Sequence, residues 1–263
     1  MGIVQDIKCK SCGASLPIKP GEVVITCEYC GSAVNVASGK DFFLAHSIIL
    51  NKHNENSIRS IIKRWMSDGA LKPANMGSDS KITDMACVFL PFYIVHTDVT
   101  TKYKGYYTRG GSRDERKGEL HREYYWKILG RRGSKFPTKE YEIPLKGKTN
   151  FNLSQIPAYA KYLNAELDER DARDLAKVEL QDHQKFLLSE QIDEFALINH
   201  DFKIDDIEFV HAPVWRADFI YNNKDYQILL DGATGTVIRG DIPPPDQSLR
   251  GSMSSLKRAF FGR

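Results

Sequence analysis

Residues 9–31 read CKSCGASLPIKPGEVVITCEYCG. Two CxxC pairs, Cys9/Cys12 and Cys27/Cys30, stand either side of a short linker, and each is followed at once by glycine, Gly13 and Gly31. CxxC spacing lets both thiolates of one tight turn reach the same ion, and two such turns complete a tetrahedral sulfur shell. Glycine after the second cysteine permits the positive φ of the turn, whose amides then point at the sulfurs. The pattern therefore predicts one Zn²⁺ held by Cys9, Cys12, Cys27 and Cys30. With four protein thiolates the site is closed and structural rather than catalytic. Two disulfides would require an oxidising compartment. A redox CxxC would be expected beside a βαβ unit, and iron sites of the rubredoxin kind place their knuckles much further apart. Between the pairs, Leu16-Pro17-Ile18, a Lys-Pro-Gly turn and Val23-Val24-Ile25 read as a hairpin joining the two knuckles. So short a unit, roughly 40 residues, would hardly fold without its ion.

The rest of the 263-residue chain is long enough for a body with its own core. No apolar run approaches the roughly 18 residues of a membrane span. The longest, Val88 to Val95, contains Pro91 and stops at His96, and Met1 to Lys10 has no apolar leader. A cytoplasmic location is expected. The net charge of +3 hides a strong asymmetry: residues 102–148 carry +8, residues 149–246 carry −10 and residues 247–263 carry +4. Such a distribution implies either an anionic partner or two halves that meet each other.

After a linker from Asn35 to Asp41, Phe42-Phe43-Leu44 would open the body. Asn54 or Asn56 caps a helix to about Ser67, with Ile58, Ile61, Ile62 and Trp65 on one face, ended by Asp68-Gly69. Strands are predicted at Met85–Val95, Val99–Thr108 and Leu120–Leu129, and Cys87 falls in the first as a core thiol. Ser154 would cap a short helix to Leu163, and Asp168 to Phe195, free of proline and glycine, reads as one long helix. Further strands follow at Ile204–Val210 and Val214–Tyr221, then a turn at Asn222-Asn223 and a return over Asp225–Leu230. Val88-Phe89-Leu90-Pro91-Phe92-Tyr93 can be laid over Val210-His211-Ala212-Pro213-Val214-Trp215, each followed by a strand, a polar turn and a tyrosine-bearing return. The echo predicts two related β modules, each opened by a proline.

The fold expected is thus α+β: an N-terminal zinc ribbon followed by a body of two related antiparallel β modules with a long helix between them. The segments are 1–38 for the ribbon, 39–150 for a first α+β module with the basic stretch, 151–245 for the long helix and second module, and 246–263 for a flexible basic tail. In this order the two CxxCG knuckles, the Trp65 helix, Leu90–Tyr93, the long helix, Pro213–Trp215 and the closing run Tyr226–Pro243 resemble a family. It is that of the prokaryotic zinc-ribbon proteins, labelled as transcription-factor-IIB-type or primosomal-helicase-like ribbons and largely of unknown function. The turn Asp231–Val237 also resembles the end of PepSY-type β modules. The resemblance implies zinc but no catalytic residues, and no GxxxxGK[ST] phosphate loop is present to support helicase chemistry.

No active site is legible. The seven histidines show no HExxH, there is no GxSxG elbow, and Gly130 to Gly133 fits no phosphate-binding template. Asp205-Asp206 with Glu208 reads as a solvated strand entry, and His96 with Asp98 as a surface pair. A non-catalytic interaction protein is expected, with no small-molecule substrate. The first reading is nucleic-acid or ribonucleoprotein binding: Lys102, Lys104, Arg109, Arg113, Arg116, Arg131 and Arg132 would neutralise phosphates while interleaved aromatics such as Tyr103, Tyr106, Tyr107 and Trp126 stack on bases. The alternative is a protein-binding adaptor that docks through the ribbon or the acidic helix. A third element, the tail Ser255–Arg263 with Leu256, Phe260 and Phe261 among three cations, would offer contact to a membrane surface or a partner groove.

Overall fold

A computed structural model describes residues 7–36, 46–69, 71–109, 111–133 and 135–244. Most of the linker, all of Phe42-Phe43-Leu44 and the tail 246–263 lie outside them. The ribbon is built from β1 (Ile7–Lys8), β2 (Ser15–Leu16), β3 (Val24–Thr26) and β4 (Ala33–Asn35). Leu16 pairs with Ile7, and Val24 with Asn35. Each knuckle is therefore the turn of its own hairpin, and the expected hairpin between the knuckles does not form. The reason is local: a CxxCG turn reverses the chain by itself, with Gly13 N–H donating to Cys9 O and Gly31 N–H to Cys27 O.

The body follows as β5 (His46–Ile49), α1 (Glu55–Ser67), α2 (Met76–Asp79), β6 (Lys81–Tyr107), β7 (Asp114–Leu129), β8 (Lys148–Asn150), β9 (Lys161–Tyr162), α3 (Glu169–Leu188), β10 (Glu194–Tyr221), β11 (Lys224–Asp231) and β12 (Val237–Gly240). The class is α+β, mostly sheet. All eight body strands belong to one sheet curled as a half-barrel, not to two modules with a helix between them.

Two very long strands organise it. β6 and β10 run 27 and 28 residues and pair antiparallel over almost their whole length. The sequence pattern predicts two shorter strands in place of each, with the prolines as strand openings. In the structure Pro91 and Pro213 lie inside the strands, next to each other's partner (His211 opposite Pro91, Pro213 opposite Phe89). On the flank of β6 away from β10, β9 ends at Phe89 and β7 begins at Phe92. On the corresponding flank of β10, β5 ends at His211 and β11 begins at Val214. Each proline thus lacks its N–H at the changeover between two neighbouring strands, where no ladder bond is lost. Its carbonyl still finds a donor, Gly130 N–H for Pro91 and Gly232 N–H for Pro213, both at 2.8 Å. The echo seen in sequence meets itself here: Leu90 pairs with Ala212, the residue laid over it.

Alternation along the strands gives the sheet two buried faces. On one lie Phe92, Ile94, Val210, Ala212 and Val214 with Tyr141 and Ile143. On the other, α1 packs Ile58, Ile62 and Met66 against Phe89, Trp215 and Phe219, and α3 packs Ala172 and Ala176 against Tyr93, Val95 and Phe209. α1 is capped by Asn54, whose side chain accepts from Ser57 N–H while the Ser57 hydroxyl takes the Asn54 N–H. α3 starts where expected, at the Asp168 cap, but ends at Leu188, and Glu194 is already strand. The predicted short helix from Ser154 is a single 3₁₀ turn, Leu153–Gln155, capped by Asn152. Asn222 and Asn223 both take positive φ, 48° and 58°, the twist that a two-residue hairpin needs.

The carboxyl side of β11 ends in a buried polar knot. Asp231 Oδ1 accepts from Ala233 N–H (2.9 Å), Thr234 N–H (2.6 Å) and the Thr234 hydroxyl (2.8 Å), and Oδ2 accepts from the Tyr141 hydroxyl at 2.5 Å. Burial, and then the nearby Asp231, hold the Tyr141 phenol well above its ordinary range.

Candidate metal centre

The four predicted ligands converge. The Sγ atoms of Cys9, Cys12, Cys27 and Cys30 all lie within 4.8 Å of one another. Cys9–Cys30 and Cys12–Cys27 are each 3.6 Å apart. That is far longer than an S–S bond of about 2.05 Å, and all four are free thiols. It is close to the edge, about 3.8 Å, of a tetrahedron with metal–sulfur distances of about 2.3 Å. The donor set therefore fits a metal ion of tetrahedral, thiophilic character. Gly13 and Gly31 take φ of 77° and 75°, as the knuckles require. Burial pushes the Cys27 thiol up to about 12. The Cys30 thiol is pulled down to about 6 against the effect of burial, by donors on Ser32. A bound cation would be what brings all four to thiolates together.

The ribbon sits firmly on the body. Val23 N–H and Val24 N–H donate to Ala165 O (2.8 and 3.1 Å), and Ala165 N–H donates back to Val24 O at 3.1 Å. Thr26 N–H reaches Asn164 Oδ1 at 2.9 Å, and the Tyr162 hydroxyl reaches Glu28 Oε1 at 3.2 Å. Val24 and Ala33 are buried in the same cluster as Tyr93, Ala172 and Phe209. Gly31 also has a packing reason to lack a side chain: a Cβ there would stand 3.0 Å from Phe151 O.

Beside this seam lies a pair that sequence reading did not single out. His46 Nδ1 is 3.0 Å from Gly31 O, His46 Nε2 is 2.8 Å from His211 Nδ1, and His211 Nε2 is 2.9 Å from Leu163 O. The rings are walled by Phe151, stacked on His46 at 4.0 Å, and by Phe209. Both carbonyls can only accept. Two neutral imidazoles bring two N–H groups to three contacts, so they cannot fill all three with hydrogen bonds. A third proton would complete the chain but would bury a charge. Burial pushes His46 down to about 2, helped by His211, and His211 down to about 4. The unfolded rings titrate near 6.5. Below that value the unfolded chain takes up protons that the folded one refuses, so this stability is present above about pH 6.5 and lost as pH falls toward 4. Thermal unfolding followed from pH 7 to 4 is expected to show a falling midpoint, with a flatter fall in His211→Gln. Equal slopes would mean that the rings titrate normally. The only sequence signal was His211 itself, a histidine inside the apolar run Val210–Trp215.

The cations proposed for nucleic acid are mostly occupied. Lys104 pairs with Glu115, Arg109 with Asp193, Arg113 with Glu194, Arg131 with Glu166 and Arg132 with Asp171. Arg131 and Arg132 also donate to the carbonyls of Asn164 and Glu166. Arg116 lies 4.2 Å over the Tyr107 ring, and Arg113 lies 3.9 Å over Tyr106. Lys102 is exposed and stands opposite Glu119 in the ladder. Tyr124 and Trp126 face α3, hydrogen-bonded to Gln184 and Glu179, whereas Tyr125 points outward and stacks on His96. His96 and Asp98, expected as a surface pair, have separate partners: His96 meets Glu123 and Asp98 meets His121. Asp205 pairs with Lys203, and Glu208 with Lys148. A cleft of about 920 Å³ between α3 and residues 131–133 and 135–140 is lined by Arg131, Arg132, Lys139, Asp171, Leu175 and Val178 among others, with no histidine, cysteine or serine among its described lining residues. No described helix is long and apolar enough to cross a membrane. Comparison with protein-family models, with curated proteins and with solved structures returns no match.

Proposed function

We propose that the chain is a non-catalytic adaptor that binds protein, with a Zn²⁺-loaded ribbon of the prokaryotic zinc-ribbon kind as a fixed part of its surface. The body would be two related strand–helix–hairpin units that exchange their first strands, β5 onto β10 and β9 onto β6, and the protein would work in the cytoplasm. One observation carries the choice of protein over nucleic acid. Of the seven cations considered for phosphate contact, five pair with carboxylates, four of them from the acidic later part of the chain. Releasing phosphate-bound counterions drives nucleic-acid binding only when the cations are free to take the phosphate. Stacking likewise needs open aromatic faces, and arginines already cover Tyr106 and Tyr107.

Fluorescence anisotropy with a labelled single-stranded RNA of about 20 nucleotides tests this. At about 150 mM salt, no binding stronger than the ordinary non-specific range of about 10⁻⁴–10⁻⁶ M is expected. Tight binding with a steep salt dependence, weakened by Lys102→Glu, would return the first reading, a nucleic-acid binder. A tagged pull-down run with and without nuclease is expected to retain its protein partners.

A further inference from the structure

Strand β10 is paired on both flanks over only part of its length. From Glu194 to Asp206 it is held by β6 on one flank. On the other, β5 begins at Phe209 and β11 at Val214, so among the described residues no strand pairs there. Between bulges at Phe195/Leu197 and Ile204/Asp206 the ladder with β6 is unbroken from Leu197 to Ile204. This is a regular strand with an open edge, a ready template for another strand. Leu197, 62% exposed, lies on it. Asn199, Asp201 and Lys203 are exposed on one face, and Ile198, His200, Phe202 and Ile204 are half-buried on the other. His200 Nδ1 meets the Thr101 hydroxyl at 2.9 Å, while its Nε2 is buried with no hydrogen-bond partner.

The charge pattern of the edge selects its occupant. A two-fold interface must be self-complementary. In an antiparallel pair, opposed residues share a face and a hydrogen-bonding type, so two identical edges can meet only in registers two residues apart. With Phe202 on the axis, Asp201 of each copy lies opposite Lys203 of the other, and the Asp205 that neighbours Lys203 at 3.5 Å extends the alternating charge. Sliding one copy to put position 201 on the axis opposes two aspartates, which is unfavourable. We propose that Leu197–Ile204 pairs antiparallel with the same strand of a second copy of this chain, continuing the sheet across a two-fold axis at Phe202. The proposal is independent of the adaptor reading. One strand edge is smaller than the roughly 1,600 Å² of a standard interface, so the dimer forms at about micromolar concentrations.

Sedimentation of the full chain from about 1 to 200 µM is expected to show the mass rising from 29.9 kDa toward twice that value. Asp201→Lys and Lys203→Asp, each checked for folding by circular dichroism, should each weaken association about tenfold or more. Mixing the two variants should restore it as a heterodimer, because lysines at 201 and 203 of one then face aspartates of the other. The proposal falls if the wild-type chain stays monomeric throughout, whether or not other proteins occupy the edge. It falls equally if association is indifferent to both substitutions, or if the mixture fails to recover.

Discussion

Serine in place of Cys12 is expected to remove stoichiometric zinc and to lower the melting temperature of the body as well as unfold the ribbon. The first effect follows from the donor set. Three thiolates and a hydroxyl hold Zn²⁺ far more weakly than four thiolates, and the metal supplies about 10–16 kcal/mol to small zinc-dependent folds. The second follows from the seam. Val24 and Ala33 are buried with Tyr93, Ala172 and Phe209, and the ribbon supplies the partners of Ala165 N–H and Ala165 O. Uncovering one aliphatic side chain of the size of Val24 costs about 1.5–3 kcal/mol. At about 2–4 °C per kcal/mol for a body of this size, a fall on the order of 5–10 °C is expected by calorimetry. A body that melts unchanged after zinc loss would show that the ribbon does not support it. Full zinc in the variant would overturn the four-thiolate assignment.

Asp231→Ala is expected to destabilise the body by about 3 kcal/mol or more. The carboxylate serves four donors in a buried site, and leaving a buried donor unserved costs about 1–3 kcal/mol each when no water can replace the lost acceptor. Two of the donors are backbone groups of the turn that leads into β12, so that strand should loosen too. Tyr141→Phe removes a single link and should cost less, about 1–2 kcal/mol. Denaturant unfolding of the three proteins measures both differences. Equal losses for the two variants would place the stabilisation in the tyrosine contact alone and not in the turn.

What sequence reading recovered was set by neighbours along the chain. The knuckles were legible because CxxCG is a local rule, and both glycines take the positive φ expected of them. α1 was legible from Asn54 and the Ile58, Ile62 stripe, and the β10–β11 hairpin from Asn222-Asn223. The two halves of opposite charge do meet, as Arg109–Asp193 and Arg132–Asp171 show. What failed depended on distant partners. Pro91 and Pro213 are strand breakers unless a neighbouring strand happens to change over beside them, and that is a property of the assembled sheet. The end of α3 was missed because residues 189–193 contain no glycine or proline, while the pairing that draws Glu194 into strand comes from Tyr106. His46 and His211 meet across 165 positions, which no spacing rule reaches.

Residues 161–167 touch nearly everything. They border β6 through Val88 and Phe89, the ribbon through Val24, and Gly130 O through the amides of Glu166 and Leu167. Leu163 O receives His211 from β10, and Leu167 O receives the Tyr93 hydroxyl. Synthesis runs from the amino end, so the knuckles leave the ribosome before the body and could take a metal ion at once. Their seat, Asn164 and Ala165, comes much later, and His211, which holds that seat from the sheet side, comes later still. The four-cysteine cluster is thus complete well before its mooring, so a chain cut between the ribbon and residue 164 would carry a ribbon without a berth.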